Sequence, residues 1–281
     1  MSEYKIKQSN SNEMQDIAAA FLLGRNKNFL DLGAGGAKKG NNTYLLQKKL
    51  GWEGCCFDLR EEGTPEDDES RFILNNGETY KERGNTLHNV DCTTPAFLDI
   101  LKENAFPQVV DYISLDVDMA GVKTLKNLIE GGYIFKFLTY EHDLHYSRNY
   151  EAMLKQQGYD VAQSKLDEKQ VYVRSEDRLW NFPFSKEGIE SRKYQAKDIL
   201  KNKGYFLLFE DVSFFEKSTG DTLHPMEDWW INPQYFPDSM LALAGKNLHF
   251  IECIKQIFNA CPFLHDEDTF QLIHATCLEE K

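Results

Sequence analysis

The chain of 281 residues is long enough for one large domain or two small ones. Its content of 41% hydrophobic and 27% charged residues is that of an ordinary soluble globular protein. The net charge of -13 has the same sign as a nucleic-acid backbone or an anionic membrane, which argues against both as partners. The apolar run 17–23 is too short for a membrane span and follows acidic residues, unlike a signal peptide, so we expect a cytoplasmic protein.

The first predicted helix covers residues 13–23, with Asn12 as its cap and Gly24 at its end. Short apolar runs then alternate with helix-length segments. The runs predict strands near 28–32, 53–58, 87–90, 109–115 and 134–140. Apolar runs separated by helices indicate a Rossmann-like, doubly wound, mostly parallel α/β sheet that is covered on both faces. Right-handed crossovers would place all five carboxyl ends at one edge, where open α/β sheets bind ligands.

The second half of the chain is less regular. Two segments compete for a sixth strand, 158–162 and 204–212, and we favour the second because it is more apolar. We expect one domain, with a cofactor-binding half at 24–145. The charged segment 146–190 is interpreted as an insertion or a cap on the acceptor side, and 191–281 as sheet completion followed by a C-terminal helical extension.

The turn after the first predicted strand is rich in glycine. Gly33, Gly35 and Gly36 allow the backbone to approach a ligand with no side chain in the way. A dinucleotide fingerprint has a further glycine where this chain has Lys38. Asp31, two residues before the first glycine, would repel a pyrophosphate but suits the ammonium and sulfonium of S-adenosylmethionine. We therefore predict that these residues bind that cofactor.

Three further predicted strands also end in aspartate. Asp58 stands 22 residues after Gly36, the usual place for an acid that holds both ribose hydroxyls. Asp91 can accept from an adenine amino group, and the neighbouring Cys92 can pack on the ring. Asp116 would face the reacting end of the site. An aspartate at a strand end also often caps the next helix, so each of these acids has a structural alternative.

Longer stretches resemble a known family. Residues 29–35 together with 52–58 are similar to the opening of class I S-adenosylmethionine-dependent methyltransferases. Residues 111–121, followed by 139–142, resemble the FkbM-type methyltransferases, which methylate hydroxyls of secondary metabolites and sugars. The chain has Ala37 where the family has glycine. The resemblance implies O-methylation of a small polar or sugar-containing acceptor, with cofactor contacts at Asp31, Gly33, Gly35, Asp58, Asp91 and Asp116.

An alcohol acceptor needs a base at neutral pH. His142 and Glu141, at the tip of the fifth predicted strand, are our candidates for this role. Neighbouring side chains of an extended backbone face opposite ways, so we expect one of the two in the site. His142 bonded to a loop carbonyl is the structural alternative. A second chemical alternative is a divalent ion held by Asp116, Asp118 and Glu141.

An aromatic and acidic motif occupies residues 227–230, Glu-Asp-Trp-Trp. We expect it outside the sheet, either as a surface on which a sugar ring stacks or as a satellite core.

Two other functions remain open. A non-catalytic S-adenosylmethionine-binding subunit that recruits a partner is compatible with Ala37 and the unusual segment 146–190. A nicotinamide-dependent oxidoreductase could use the same sheet, but Asp31 and Lys38 count against it.

Overall fold

The fold is organised around a central sheet. The computed structural model describes residues 4–59, 79–142, 144, 171–175, 178–182, 186–216, 222–260 and 264–280. The strands of this part are β1 (Tyr4–Ile6), β2 (Asn28–Leu32), β3 (Glu53–Asp58), β4 (Leu87–Asn89), β5 (Val109–Leu115), β6 (Ile134–Glu141), β7 (Val171–Ser175), β8 (Arg178–Phe182), β9 (Phe206–Glu216), β10 (Thr222–Ile231), β11 (Gly245–Lys246) and β12 (Leu278–Glu280).

Helices connect and cover these strands. They are α1 (Gln15–Leu23), α2 (Tyr44–Leu50), α3 (Tyr80–Arg83), α4 (Ala96–Glu103), α5 (Gly121–Glu130), α6 (Lys186–Asn202), α7 (Asp238–Leu241), α8 (Phe250–Ala260) and α9 (Glu267–Cys277). Short 3-10 turns occupy Asp118–Ala120 and Pro233–Tyr235. In the part of the chain that the structure describes, no helix combines the length and apolarity that crossing a membrane would require.

Eight strands form the central sheet in the order β11-β9-β10-β6-β5-β2-β3-β4. The five neighbours from β4 to β6 are all parallel, whereas β10 is antiparallel to both β6 and β9. The predicted Rossmann-like, mostly parallel sheet is therefore confirmed. The favoured sixth strand is present as β9, and its rival at 158–162 lies outside the described residues. Two smaller sheets pair β1 with β12 and β7 with β8.

Both faces of the central sheet are buried. One core cluster packs under α1, α2, α8 and α9, and the other under α4, α5 and α6. In β5, every residue after Val109 is buried, which explains the nearly continuous apolar run in its sequence, interrupted by Asp111 and Ser114. Removal of this apolar area from water is the main favourable contribution to folding.

The motif at 227–230 lies inside the sheet, in β10, so the prediction that it lies outside is wrong. Trp229 and Trp230 are 0% and 1% exposed. Adjacent side chains of a strand point to opposite faces, so Trp229 enters one core cluster and Trp230 the other. Neither ring is available as a stacking surface for a sugar.

The start of α1 also differs from the prediction. Its N-cap is Met14, at φ 60°, with no side-chain capping bond, so Asn12 does not cap it. The buried Asp16 carboxylate instead accepts hydrogen bonds from the hydroxyls of Ser9 (2.7 Å) and Ser11 (2.9 Å). These bonds turn the chain back on itself before the helix.

Candidate functional site

A cavity of about 440 Å³ opens at the edge where the parallel strands β2 to β5 end. This is the edge at which open α/β sheets bind ligands. Its lining includes Gly33, Asp58, Asp91, Cys92, Asp116 and Asp118. The fold thus brings together five of the site residues predicted from the sequence and adds a fourth carboxylate, that of Asp118.

The glycine turn is fitted tightly between the ends of its two neighbouring strands. Gly33 has φ 80°, and a Cβ atom there would overlap the carbonyl oxygen of Asp116. Its amide donates to the carbonyl oxygen of Phe57 at 2.8 Å. Gly35, at φ 57°, faces open space, and its amide donates to Asp58 Oδ2 at 3.0 Å. The position of Gly33 therefore requires glycine, whereas Gly35 has room for a Cβ atom and is not part of the cavity lining.

Two side chains of α3 hold the turn from behind. The Tyr80 hydroxyl lies 3.1 Å from the carbonyl oxygen of Gly35 and 3.3 Å from that of Gly36. Arg83 Nη1 donates to the carbonyl oxygen of Ala37 at 3.2 Å. Neither residue is among those predicted from the sequence, because a helix of only four residues carries little hydrophobic periodicity.

Asp31 lies behind the turn and outside the cavity lining. Its Oδ2 accepts from Thr43 Oγ1 at 2.7 Å and from Asn41 Nδ2 at 3.2 Å. Burial raises the pKa of its carboxyl group, while the Thr43 hydrogen bond and the charge of Arg83 act against that shift. In this position Asp31 braces the turn.

The strand-end residues around the cavity differ in their ionisation. A backbone hydrogen bond from Thr93, 2.7 Å from Asp91 Oδ1, holds the pKa of Asp91 below its usual range. Burial raises the pKa of the Cys92 thiol to about 12, so this thiol stays protonated and offers an apolar wall. Ionised aspartates around one cavity attract a positively charged ligand.

His142 lies in a buried charge cluster, which we define as His142, Lys193, Asp211 and Asp228. Its Nε2 atom is 3.5 Å from Asp228 Oδ1 and 3.6 Å from Asp211 Oδ1. Its Nδ1 accepts from the amide of Leu144 at 3.2 Å. The Lys193 ammonium donates to Asp211 and is 3.8 Å from Asp228. The imidazole is fully buried here and does not line the cavity.

Glu141 ends β6 and lies beside Glu227 of β10 in the strand register. It is partly buried and is not part of the cavity lining either. Among the described residues, Asp116, Asp118 and Glu141 do not form a group with metal-ligand spacing. The alternative of a divalent ion held by these three carboxylates therefore gains no support from the geometry and stays a prediction. Such spacing occurs within the charge cluster, where the Lys193 ammonium supplies the positive charge.

Comparison with known proteins gives few matches. No protein-family model and no curated protein matches the sequence. One similar solved structure is a precorrin-6y C5,15-methyltransferase from Geobacter metallireducens GS-15, with 16% identity over 64% of this chain and 86% of that one, at TM-score 0.32. Another is an S-adenosylmethionine-dependent methyltransferase from Clostridium acetobutylicum ATCC 824, with 14% identity over 80% of this chain and 92% of that one, at TM-score 0.38. Scores this low leave the function to be inferred from the site itself.

Proposed function

We propose that the protein transfers a methyl group from S-adenosylmethionine to a hydroxyl group of a small polar or sugar-containing acceptor. The observation that carries this proposal is the cavity at the carboxyl edge of the sheet, with four aspartates in its lining and a glycine turn at one side. A cationic ligand that contains adenosine matches both features.

The cavity residues fit the parts of this cofactor. The Asp58 carboxylate would accept hydrogen bonds from the ribose hydroxyls, since it follows the glycine turn at the distance typical of that contact. Asp91 would accept from the adenine amino group, and the protonated Cys92 thiol would pack on the ring. Asp116 and Asp118 would lie toward the charged end. When bound, the cofactor supplies an electrophilic methyl group on a sulfonium.

A nicotinamide dinucleotide fits the same cavity less well. Its pyrophosphate carries two negative charges, and four aspartates in the lining would repel it. The glycine turn also has Lys38 in place of the third glycine of the dinucleotide fingerprint. The electrostatics of the site therefore favour the sulfonium cofactor over the dinucleotide.

Methyl transfer requires alignment more than covalent help from the protein. Holding the two reactants in line contributes about 7–11 kcal/mol, and a positioned base adds about 10²–10⁴-fold for an alcohol acceptor. The choice of oxygen as the acceptor atom rests on the resemblance of residues 111–121 and 139–142 to FkbM-type methyltransferases.

Isothermal titration calorimetry with S-adenosylhomocysteine tests the cofactor assignment. We expect wild-type protein to bind it and Asp58→Ala to bind about 100-fold more weakly, since two hydrogen bonds to a charged group are lost. Asp58→Asn keeps an oxygen for the Gly35 amide but removes the charge, and we expect about tenfold weaker binding.

Asp99→Ala is the matched control, because Asp99 is an exposed aspartate of α4 that pairs with Lys102 on the same helix. Its affinity should equal that of wild type. Absence of binding in the wild type, or tighter binding of NADH in the same assay, would overturn the proposal. Equal affinities for wild type and Asp58→Ala would refute the ribose assignment.

A further inference from the structure

A second cavity of about 440 Å³ lies at the opposite edge of the sheet, where the parallel strands begin. Lys27 directly precedes β2, and Lys136 is the third residue of β6. Tyr235 ends the short turn after β10, which reaches this edge because it runs antiparallel to β6. We call this the amino-edge cavity and define it by six residues of its lining, Arg25, Lys27, Lys136, Tyr235, His265 and Asp266.

Three cationic side chains border the amino-edge cavity, whereas four aspartates border the cofactor cavity. Lys136 is paired with Asp111 at 2.6 Å, and its ammonium lies 5.2 Å from the centroid of the Tyr235 ring. Within the described parts of the chain, Arg25 and Lys27 form no ion pair. The cavity therefore presents two cations to a ligand without competition from a paired carboxylate.

The other two titratable groups of the lining do not cancel this charge. Asp266 is the N-cap of α9, and its two oxygens accept from the amide and the hydroxyl of Thr269 at 2.8 and 2.9 Å. These bonds and, to a smaller extent, the charge of Arg25 hold the pKa of Asp266 below its usual range. Burial lowers the pKa of His265, whose Nε2 donates to the carbonyl oxygen of Phe21 at 2.7 Å. With one acid, a neutral imidazole and three cations, the lining is positive.

The segment that carries Arg25 and Lys27 is held by hydrogen bonds from neighbouring elements. The carbonyl oxygen of Gly24 accepts from the Trp52 indole at 2.9 Å. The carbonyl oxygen of Lys27 accepts from the amide of Glu53 at 2.9 Å. Because the backbone is fixed on both sides of Arg25, binding has to order only the two side chains, which lowers its entropic cost.

We propose that the amino-edge cavity binds a small organic phosphate. The phosphate group would lie between the guanidinium of Arg25, which can donate two parallel hydrogen bonds, and the ammonium of Lys27. The organic part would lie against the ring of Tyr235, which is 41% exposed although it is a large aromatic side chain. This inference is independent of the proposed function, because it concerns the other edge of the sheet.

The net charge of -13 does not prevent a dianion from binding here. At physiological ionic strength, exposed charges more than about 8 Å apart are largely screened, so the side chains at the cavity determine the local attraction. A carboxylate would bring one negative charge to two unpaired cations, whereas a phosphate monoester brings about two. The charges of the lining therefore favour the phosphate.

Isothermal titration calorimetry of the full-length protein with phenyl phosphate tests the proposal. Arg25→Gln and Lys27→Gln should each weaken binding on the order of tenfold, since each removes charge-assisted hydrogen bonds. Tyr235→Ala should weaken the binding of phenyl phosphate about fivefold and leave that of inorganic phosphate unchanged. Phenol, which lacks the charge, should not bind. Lys126→Gln, at an exposed lysine of α5 outside the lining, should behave as wild type.

The outcomes separate this inference from the cofactor assignment. Asp58→Ala should bind phenyl phosphate as wild type does, and Arg25→Gln should keep the wild-type affinity for S-adenosylhomocysteine. Absence of phenyl phosphate binding to wild type, or equal affinities for wild type, Arg25→Gln and Lys27→Gln, would overturn the inference. Should these variants fail to fold, amide NMR shifts of wild type on addition of phenyl phosphate replace them. Shifts in residues 22–27 and 264–269 would support the proposal, and shifts confined to the cofactor cavity would refute it.

Discussion

The two sides of the carboxyl edge use the same type of side chain in opposite ways. Around the cavity, Asp58 and Asp91 stand at strand ends, where backbone amides donate to them. On the side of β9 and β10, Asp211, Asp228 and Glu227 are buried and held by side-chain partners. A carboxylate at the rim is available to a ligand. A buried one needs a cation or keeps its proton.

The direction of the strands explains this difference. The parallel strands β2 to β5 end at the edge, so their last acids lie in loops next to the cavity. The antiparallel strand β10 runs through the same edge, so Glu227 and Asp228 have neighbouring strands on both sides. Their side chains are therefore enclosed by the helices that cover the sheet.

The largest expected effect is on the cavity side. Gly33→Ala should destabilise the protein by about 4 kcal/mol or more, since its Cβ would overlap the Asp116 carbonyl and the backbone has φ 80°. Urea unfolding measures the change. Gly35→Ala is the matched control, with a cost of about 1 kcal/mol, because its Cβ would meet open space. Equal costs at both positions would contradict the tight fit of the turn.

On the buried side, Lys193→Met should cost about 3–5 kcal/mol, because it removes the buried ammonium beside Asp211 and Asp228. The Lys246 ammonium, 3.8 Å from Asp211 Oδ2, is largely exposed and compensates weakly. Lys102→Met is the control. It breaks an exposed ion pair with Asp99 and should cost less than about 1 kcal/mol. A similar small cost for both variants in urea unfolding would show that the buried acids do not depend on the lysine.

The buried glutamates should also give stability a characteristic pH dependence. Glu13 and Glu227 have folded-state pKa values of about 7 and 8, above the ordinary value of 4.5. Near neutral pH the folded state thus binds more protons at these two glutamates than the unfolded state does. Their contribution to the free energy of unfolding is complete below pH 4.5 and is lost as the pH rises through 7 to 8. Urea unfolding between pH 5 and 9 should show a falling free energy of unfolding.

The same series on the double variant Glu13→Gln, Glu227→Gln is the control, and its slope should be smaller. A wild-type slope in the double variant would contradict the assignment. Asp228 is expected to behave oppositely. Burial raises the pKa of Asp228, but the neighbouring His142 and Lys193 lower it by more, so the pKa lies below its ordinary value. The stability that ionised Asp228 contributes is therefore lost only as the pH falls below the ordinary carboxyl range.

The smallest effect on ligand binding is expected at Asp31. Asp31→Asn should cost about 2 kcal/mol of stability, because it weakens a buried hydrogen bond from Thr43 and removes the charge next to Arg83. The affinity for S-adenosylhomocysteine should change less than about threefold by calorimetry. A loss as large as that of Asp58→Asn would instead place Asp31 among the cofactor contacts, as the sequence predicts.

Several parts of the fold were readable from the sequence. The predicted strands 28–32, 53–58 and 109–115 agree with β2, β3 and β5 in both bounds. Each is an apolar run, preceded or followed by polar residues or glycine, and is paired on both sides in the sheet. In such strands the local pattern and the tertiary environment require the same residues.

Other parts were not readable because local patterns mislead where polar groups are buried. The motif at 227–230 looks like a surface because it begins with two acids, yet both acids are buried against distant partners. Helix α3 contributes Tyr80 and Arg83, which hold the glycine turn. The sequence feature that indicates this helix is the capping box that begins at Thr79.

The sequence by itself determined the parallel sheet, the glycine turn and the aspartates at the strand ends, because hydrophobic periodicity and turn chemistry act over a few residues. Tertiary structure decided which acids border the cavity and which are enclosed. That division depends on the reversal of β10, which is fixed by pairing with residues of β6 that lie 86 to 94 positions earlier in the chain. It depends also on the path of the N-terminal segment 9–14, which Gln15 joins to Glu227, 212 positions away.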